Sequence, residues 1–387
     1  MSNERAVLTA RVLRYAVLGL AVAALTLPVL RAVAFEGPMD DFDWHARSAR
    51  RTWQYGRLET PHFLYPLLTI AVSRSKVVSD WNNAGMLVAL AFQALLAIVL
   101  FREARRAMPA TTPFAGAAAL ALTLALMVVT PVTFMSWSRR NLYIGYLGIN
   151  TFHSPTMYLL RPLALLLWLR LAVSLAPAGA RATGPEVAAA AVLSVLCALA
   201  KPSYGIVLLP ALGLAGAWRW ARGRRIDPRL ILLGFAVPTV TVLAWQYTFS
   251  FASGANDALV WAPLAVMSRF RGTPARVALA VIFPATVYLT HWRRALREPS
   301  LNLAWLVFAV GVAYAYLLAE TGDRAGHGNL TWSGQIAGFI LFVTSTLFAL
   351  RHVGAPGGNL PVVAACAAAF ALHFVSGVYF LLHPTWL

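Results

Sequence analysis

Apolar runs of membrane-crossing length alternate along this chain with short polar stretches, and that alternation sets the expected fold. The first run, residues 15–30, follows Arg5, Arg11 and Arg14. The next, 85–101, closes on Arg102, Arg105 and Arg106. Further runs occupy 114–134, 157–175, 231–249, 277–289, 301–318, 334–350 and 362–382. A bilayer core needs roughly 20 apolar residues in a helix, so each reads as a crossing. The run 63–72, at roughly 10 residues, is too short to cross and reads as interfacial. The turn before it, Thr60-Pro61-His62-Phe63-Leu64-Tyr65-Pro66, carries two prolines that fix its backbone.

Two runs break the pattern. Residues 187–200 and 206–218 are roughly 14 and roughly 13 residues long, and Lys201, Pro202 and Gly205 lie between them. This reads as an interrupted helix pair that holds Lys201 below the membrane surface. Non-helical backbone at that depth needs a wet cavity or a protein cover. An ionisable residue there is a candidate for function, and the alternative is a lysine reaching to the headgroups. With these two runs the chain has about 11 crossings. The fold expected is an all-α polytopic membrane protein in a single integral membrane domain, 1–387, with no separate soluble domain.

Composition agrees: 59% of the 387 residues are hydrophobic and mean hydropathy is +0.67, well above a soluble domain. The arginines flanking the runs orient them. Those at 102–106, 219–229, 293–294 and 351 mark the cytoplasmic side, leaving outer loops at 35–82, 135–156, 250–276 and 320–333. Ala32-Val33-Ala34 also fits a signal-cleavage pattern, so the first run is either an uncleaved helix or a signal peptide. A net charge of +18 invites a nucleic-acid reading, but the basic residues are scattered between apolar runs. The lipid bilayer, with its anionic lipids, is the partner expected, and not nucleic acid. Cys197 and Cys366 lie inside apolar runs and read as core residues. Lysine occurs only as Lys76 and Lys201.

The chemistry gathers in the loops read as external. Asp40, Asp41, Asp43 and His45 fall within six positions, just past the first run. In a helix, Asp41 and His45 share one face. The segment through Arg47, Arg50, Arg51 and Trp53 to Tyr55 reads as an amphipathic helix on the membrane surface, and so does 258–270, with Trp261 and Arg269. Loop 135–156 carries Arg139, Arg140 and His153, and loop 320–333 carries Glu320, Asp323, Arg324, His327 and Asn329 among three glycines. Basic groups beside carboxylates suit an anionic lipid with a leaving phosphate. Phosphate-binding glycine loops of the nucleotide type, zinc-protease motifs and nucleophile elbows are all missing from the sequence.

An acidic pair in the first outer loop, an interfacial helix behind it and about a dozen crossings resemble the GT-C superfamily of membrane glycosyltransferases. The residues that carry the resemblance are Asp40, Asp41 and Asp43. The stretch Asn150-Thr151-Phe152-His153-Ser154-Pro155-Thr156, the Lys201-Pro202 turn and the loop from Glu320 to Trp332 are similar to bacterial members as well. The resemblance implies a polyprenyl-phosphate-linked sugar as donor, a glycan or glycolipid as acceptor, and transfer at the outer face of a bacterial inner membrane. The large carboxyl-terminal extramembrane domain that many members carry is not expected from residues 1–387.

Such a donor already has a good leaving group, so the enzyme must deprotonate an acceptor hydroxyl and stabilise the released phosphate. Asp41 is the candidate base, with Asp40 second. Lys201 is the first candidate for the phosphate, with Arg139, Arg140, Arg324 and His153 behind it. Asp43, His45, Glu320, His327 and Asn329 are candidates for substrate contact. The sequence points to no particular cofactor. A divalent metal bridging Asp40, Asp43 and His45 is the alternative arrangement, less needed where fixed cations are present. A lipid or solute transporter using Lys201 and the acids as a relay is the competing function, and a lipid-modifying enzyme that moves something other than a sugar is a third. The lack of an internal repeat weighs against transport.

Overall fold

The computed structural model describes residues 2–35, 41–75, 77–109, 114–133, 147–173, 175, 181–224, 226–251, 258–269, 273–353 and 359–382. They form an all-α membrane protein with one short strand pair. The order is α1 (Ser2–Phe35), α2 (Asp41–Tyr55), α3 (Leu64–Arg74), α4 (Trp81–Ala107), α5 (Ala115–Val128), α6 (Pro155–Val173), α7 (Gly184–Ala200), α8 (Ser203–Ala221), α9 (Pro228–Ile231), a π turn (Leu232–Ala236), α10 (Val237–Phe251), β1 (Leu259–Trp261), α11 (Thr273–Thr290), α12 (Trp292–Ala295), α13 (Pro299–Leu317), β2 (Leu318–Glu320), α14 (Thr331–Val353) and α15 (Leu360–Leu382).

Six segments among the described residues are long and apolar enough to cross a membrane: Val12–Ala32, Trp81–Ala107, Pro228–Ser250, Pro299–Leu317, Thr331–His352 and Leu360–Leu382. Ala115–Val128, Gly184–Ala200 and Ala275–Thr290 are shorter apolar helices.

Local chemistry sets the helix ends. Asp80 caps α4, its carboxylate accepting from the Asn83 N–H at 2.8 Å, and Arg105 and Arg106 lie in the last turn, where the helix dipole favours cations. The Glu186 carboxylate accepts from the Thr183 N–H at 2.7 Å and fixes the start of α7. Pro202 lacks an N–H and stops α7 at Ala200; α8 starts at Ser203. Asp227 caps α9 and also accepts from the Ala182 N–H at 2.6 Å, so one carboxylate ties two helix starts together.

α14 is the hub. It is almost wholly enclosed, packed by α13 and α11 and also by α8, α4 and α6. Its close approach to α13 depends on two glycines. A Cβ on Gly311 would stand 2.8 Å from Gly334 Cα and 3.0 Å from Ser333 O, closer than side chains tolerate. Small residues at such crossings let backbones meet where lipid gives no hydrophobic drive for helix association.

Two of the expectations need correction. The run 114–134 is helical only to Val128; the backbone then unwinds. Its polar groups find partners from distant elements. The Asn150 side-chain amide donates to Leu126 O at 3.1 Å and to Val129 O at 2.7 Å, and the Ser376 hydroxyl donates to Pro131 O at 2.7 Å. The Thr130 N–H donates to His373 O at 3.2 Å. Unwound backbone inside a membrane requires such partners. Second, 258–270 does not form an amphipathic helix. Its first residues form β1, which pairs antiparallel with β2, Leu259 opposite Glu320 and Trp261 opposite Leu318. Leu-Val-Trp favours strand over helix, and the pairing satisfies its backbone. The crossing expected at 231–249 falls within the long apolar segment Pro228–Ser250; a π turn interrupts its α-helix, and Gly234 O in that turn accepts from the Ser194 hydroxyl at 2.9 Å. Cys197 and Cys366 are buried free thiols.

Candidate functional site

The break between α7 and α8 puts Lys201 where several helices begin. Its ammonium donates to Thr156 Oγ1, in the first turn of α6, at 3.1 Å and to Ser154 Oγ, just before that helix, at 3.4 Å. It also lies 4.0 Å from the centre of the Trp332 ring, in the first turn of α14. Lys201 precedes the first residue of α8 by two positions. The amino ends of α6, α8 and α14 therefore meet at one lysine. Each such end carries roughly half a positive charge and inward N–H groups, so the junction attracts anions.

α2 faces the same junction with its amino-terminal turn. Its buried stripe is Phe42, His45, Ala46, Ser48, Ala49 and Thr52; Trp44, Arg47, Arg50 and Trp53 stay exposed. The 3.6-residue period puts Asp41 and His45 one turn apart on a shared face. The electrostatics agree with that placement. Burial pushes the Lys201 ammonium down to about 8, with the Asp41 carboxylate pulling it back up. Burial, then the charges of His62 and Lys201, hold His45 well below the usual imidazole range. His153 is pushed down to about 3 by burial and by Lys201. His62 is likewise pushed to about 3 by burial, then by Lys201 and Arg324. Three neutral imidazoles thus stand around one ammonium, with one carboxylate in range.

Aromatic packing fixes their positions. The His45 ring meets His62 at 5.8 Å and Tyr65 at 5.6 Å, and the His153 ring lies 5.2 Å from Trp332. The His45 Nδ1 is buried without a hydrogen-bond partner. Behind the site, the wholly buried Arg161 donates to Asn150 Oδ1 and lies 5.1 Å from the Tyr158 ring. Since Asn150 also caps the end of α5, that contact links the unwound segment to α6.

Of the residues singled out in the sequence, Asp41, Lys201, His153 and His45 come together here, and Arg324 joins them through its field on His62. Asp43 points elsewhere. It pairs with Arg47 at 3.2 Å and accepts from the Asn82 amide at 3.4 Å. Two positions apart on a helix, Asp43 and His45 face roughly opposite ways, which argues against a metal held between them. Among the described residues no group of three or more His, Cys, Asp or Glu side chains is placed to hold a metal ion. Glu320 accepts from the Asn329 amide at 2.6 Å and lies 4.0 Å from the Arg324 guanidinium. The loop around them turns on Gly322, Gly326 and Gly328, all at positive φ (66°, 92° and 67°). His327 is exposed in that loop. Asp40, Arg139, Arg140 and Lys76 lie outside the described residues.

His62, Ser154, Thr156 and Trp332 were missed as site residues. His62 sat in a proline-flanked turn read only for its backbone, and Trp332 in a loop read for its charges. The fold defines a polytopic membrane protein with a cationic, histidine-rich junction at one end. The chain matches no family model, and no curated protein matches it in sequence.

Proposed function

We propose that this protein is a membrane glycosyltransferase that moves a sugar from a polyprenyl-phosphate donor to a glycan or glycolipid acceptor. The observation that carries the reading is Lys201 at the meeting of three helix amino ends with the Asp41 carboxylate in range. That pairing matches the two demands of the reaction. The acceptor hydroxyl gives its proton to Asp41, its oxygen bonds to the sugar's anomeric carbon, and the bond from that carbon to the phosphate oxygen breaks. The phosphate leaves with the electron pair and is met by Lys201 and by the α6, α8 and α14 amino ends. Neutral His45, His62 and His153 are hydrogen-bonding groups suited to sugar hydroxyls and phosphate oxygens. Arg324 extends the cationic side of the site, and Glu320 with Asn329 offers polar contacts to the acceptor. Asp40, Arg139 and Arg140 stay candidates by sequence alone.

In this reading the six long helices, together with α5, α6, α7, α8 and α11, make about 11 crossings of a bacterial inner membrane. The Lys201 junction faces outward, and the arginine-closed ends of α4 and α14 face the cytoplasm. The experiment is to incubate purified protein with a panel of labelled polyprenyl-phosphate sugars and lipid or glycan acceptors. One donor is expected to give a labelled covalent product; no product from any pairing overturns the reading.

A further inference from the structure

Among the described residues no carboxylate stands within ion-pair distance of the Lys201 ammonium. Its near neighbours are two hydroxyls, Thr156 Oγ1 at 3.1 Å and Ser154 Oγ at 3.4 Å, and the face of Trp332 at 4.0 Å. The hydroxyls also face each other at 3.2 Å, so each has a partner without the lysine. They belong, moreover, to the amino end of α6, whose dipole opposes a cation. The Asp41 carboxylate favours the ammonium from beyond contact, and a second group does so at contact distance. The negative face of an indole does so at short range, and more strongly where water is excluded.

We propose that Trp332 is a positioning residue: its ring face holds the Lys201 ammonium at the α7–α8 break, in the place a counter-carboxylate would otherwise fill. The difference matters for a binding site. A carboxylate in contact would neutralise the lysine and occupy its donors. A ring face attracts the ammonium but carries no net charge, so the site keeps a cation for an arriving anion. Trp332 is placed to do this by the α13–α14 crossing, because Ser333 and Gly334, the next two residues, are those in closest contact with Gly311. The other charged or titratable groups facing Lys201 are Asp41 and His45 from α2, His62 from the α2–α3 connection, and His153 from the segment before α6. Only the purpose of that charge, to meet the donor phosphate, rests on the proposed function.

The test reads Lys201 directly. The chain has two lysines, Lys76 and Lys201, so acylation by an amine-reactive ester is followed at each by mass spectrometry. Only the neutral amine reacts. In the parent, Lys201 labelling is expected to rise with a midpoint near pH 8. Trp332→Leu should lower that midpoint by about one pH unit, giving about fivefold more neutral amine at pH 7, and Trp332→Phe should fall between. Because Trp332→Leu also removes packing, trifluorotryptophan placed at position 332 is the companion variant. It keeps the ring's shape and weakens its negative face, and should lower the midpoint as well. An unchanged midpoint in the trifluorotryptophan protein overturns the inference. Added polyprenyl phosphate should slow Lys201 labelling in the parent. If it does not, while the midpoint still follows the ring at 332, the donor reading fails and the ring–ammonium inference stands.

Discussion

Replacing Lys201 by methionine separates a binding role from a structural one. Methionine keeps most of the stem and deletes the ammonium with its bonds to Thr156 and Ser154. Those hydroxyls lie 3.2 Å apart and can satisfy each other, so no buried polar group is left stranded. Removing a half-buried charge that contacts no carboxylate also relieves a desolvation cost, since an ammonium away from water is unfavourable unless paired. The fold should therefore keep its melting temperature or gain slightly. Binding should move the other way. A charged hydrogen bond to phosphate contributes roughly 1.5–3 kcal/mol, which converts to roughly 10- to 150-fold in affinity. The assay is the Kd for a non-hydrolysable polyprenyl-phosphate sugar in nanodiscs, with thermal melting measured in parallel. Lys201→Arg should recover part of the loss, because a planar fork fits a pocket shaped for a point charge imperfectly. Unchanged affinity in Lys201→Met, with the fold intact, refutes the assignment and moves the phosphate site to Arg139, Arg140 or Arg324.

Asp41→Asn keeps the side chain's shape and removes the base; turnover should fall by roughly 10²- to 10⁴-fold while donor affinity stays within a few-fold, and equal activity would remove Asp41 from the base role. Gly311→Ala drives a methyl into Gly334 at the α13–α14 crossing, and overpacking of this kind should lower stability by roughly 1–3 kcal/mol, seen as a lower melting temperature. Acid should weaken the fold through His62 and His153, which lie near 3 in the folded protein against an ordinary 6.5. Their neutral forms fit the fold, so that contribution is complete above pH 6.5 and is lost progressively as pH falls toward about 3. Melting temperature measured from pH 7.5 to 4.5 should therefore decline, and His62→Gln should flatten the slope; an identical slope in the variant contradicts the burial of a neutral His62.

What the sequence revealed and what it hid follow from how far apart the deciding contacts are. The α7–α8 break was legible because Lys201, Pro202 and Gly205 carry the interruption within a few positions. The face shared by Asp41 and His45 was legible for a similar reason: one helical turn separates them. The unwinding after Val128 was not, because its partners are Asn150, His373 and Ser376, and an apolar run looks helical until a distant side chain takes its carbonyls. The pairing of β1 with β2 joins two three-residue segments across α11 to α13, too short for any period to show. His62 entered the site only through the fold, which brings the α2–α3 connection against the α7–α8 break. Trp332 closes a loop read for its charges, and nothing in its neighbours signals that a lysine 131 positions earlier lies on its face.

The central claim is that the Lys201–Asp41 junction transfers a sugar and does not pass a solute across the membrane. Sealed vesicles carrying the purified protein, given one labelled polyprenyl-phosphate sugar and an acceptor lipid, decide between the two directly. The account predicts label covalently joined to the acceptor, with polyprenyl phosphate released in equal amount, and neither product formed by Asp41→Asn. Label that accumulates inside the vesicles with its phosphate bond intact contradicts it and makes the protein a transporter.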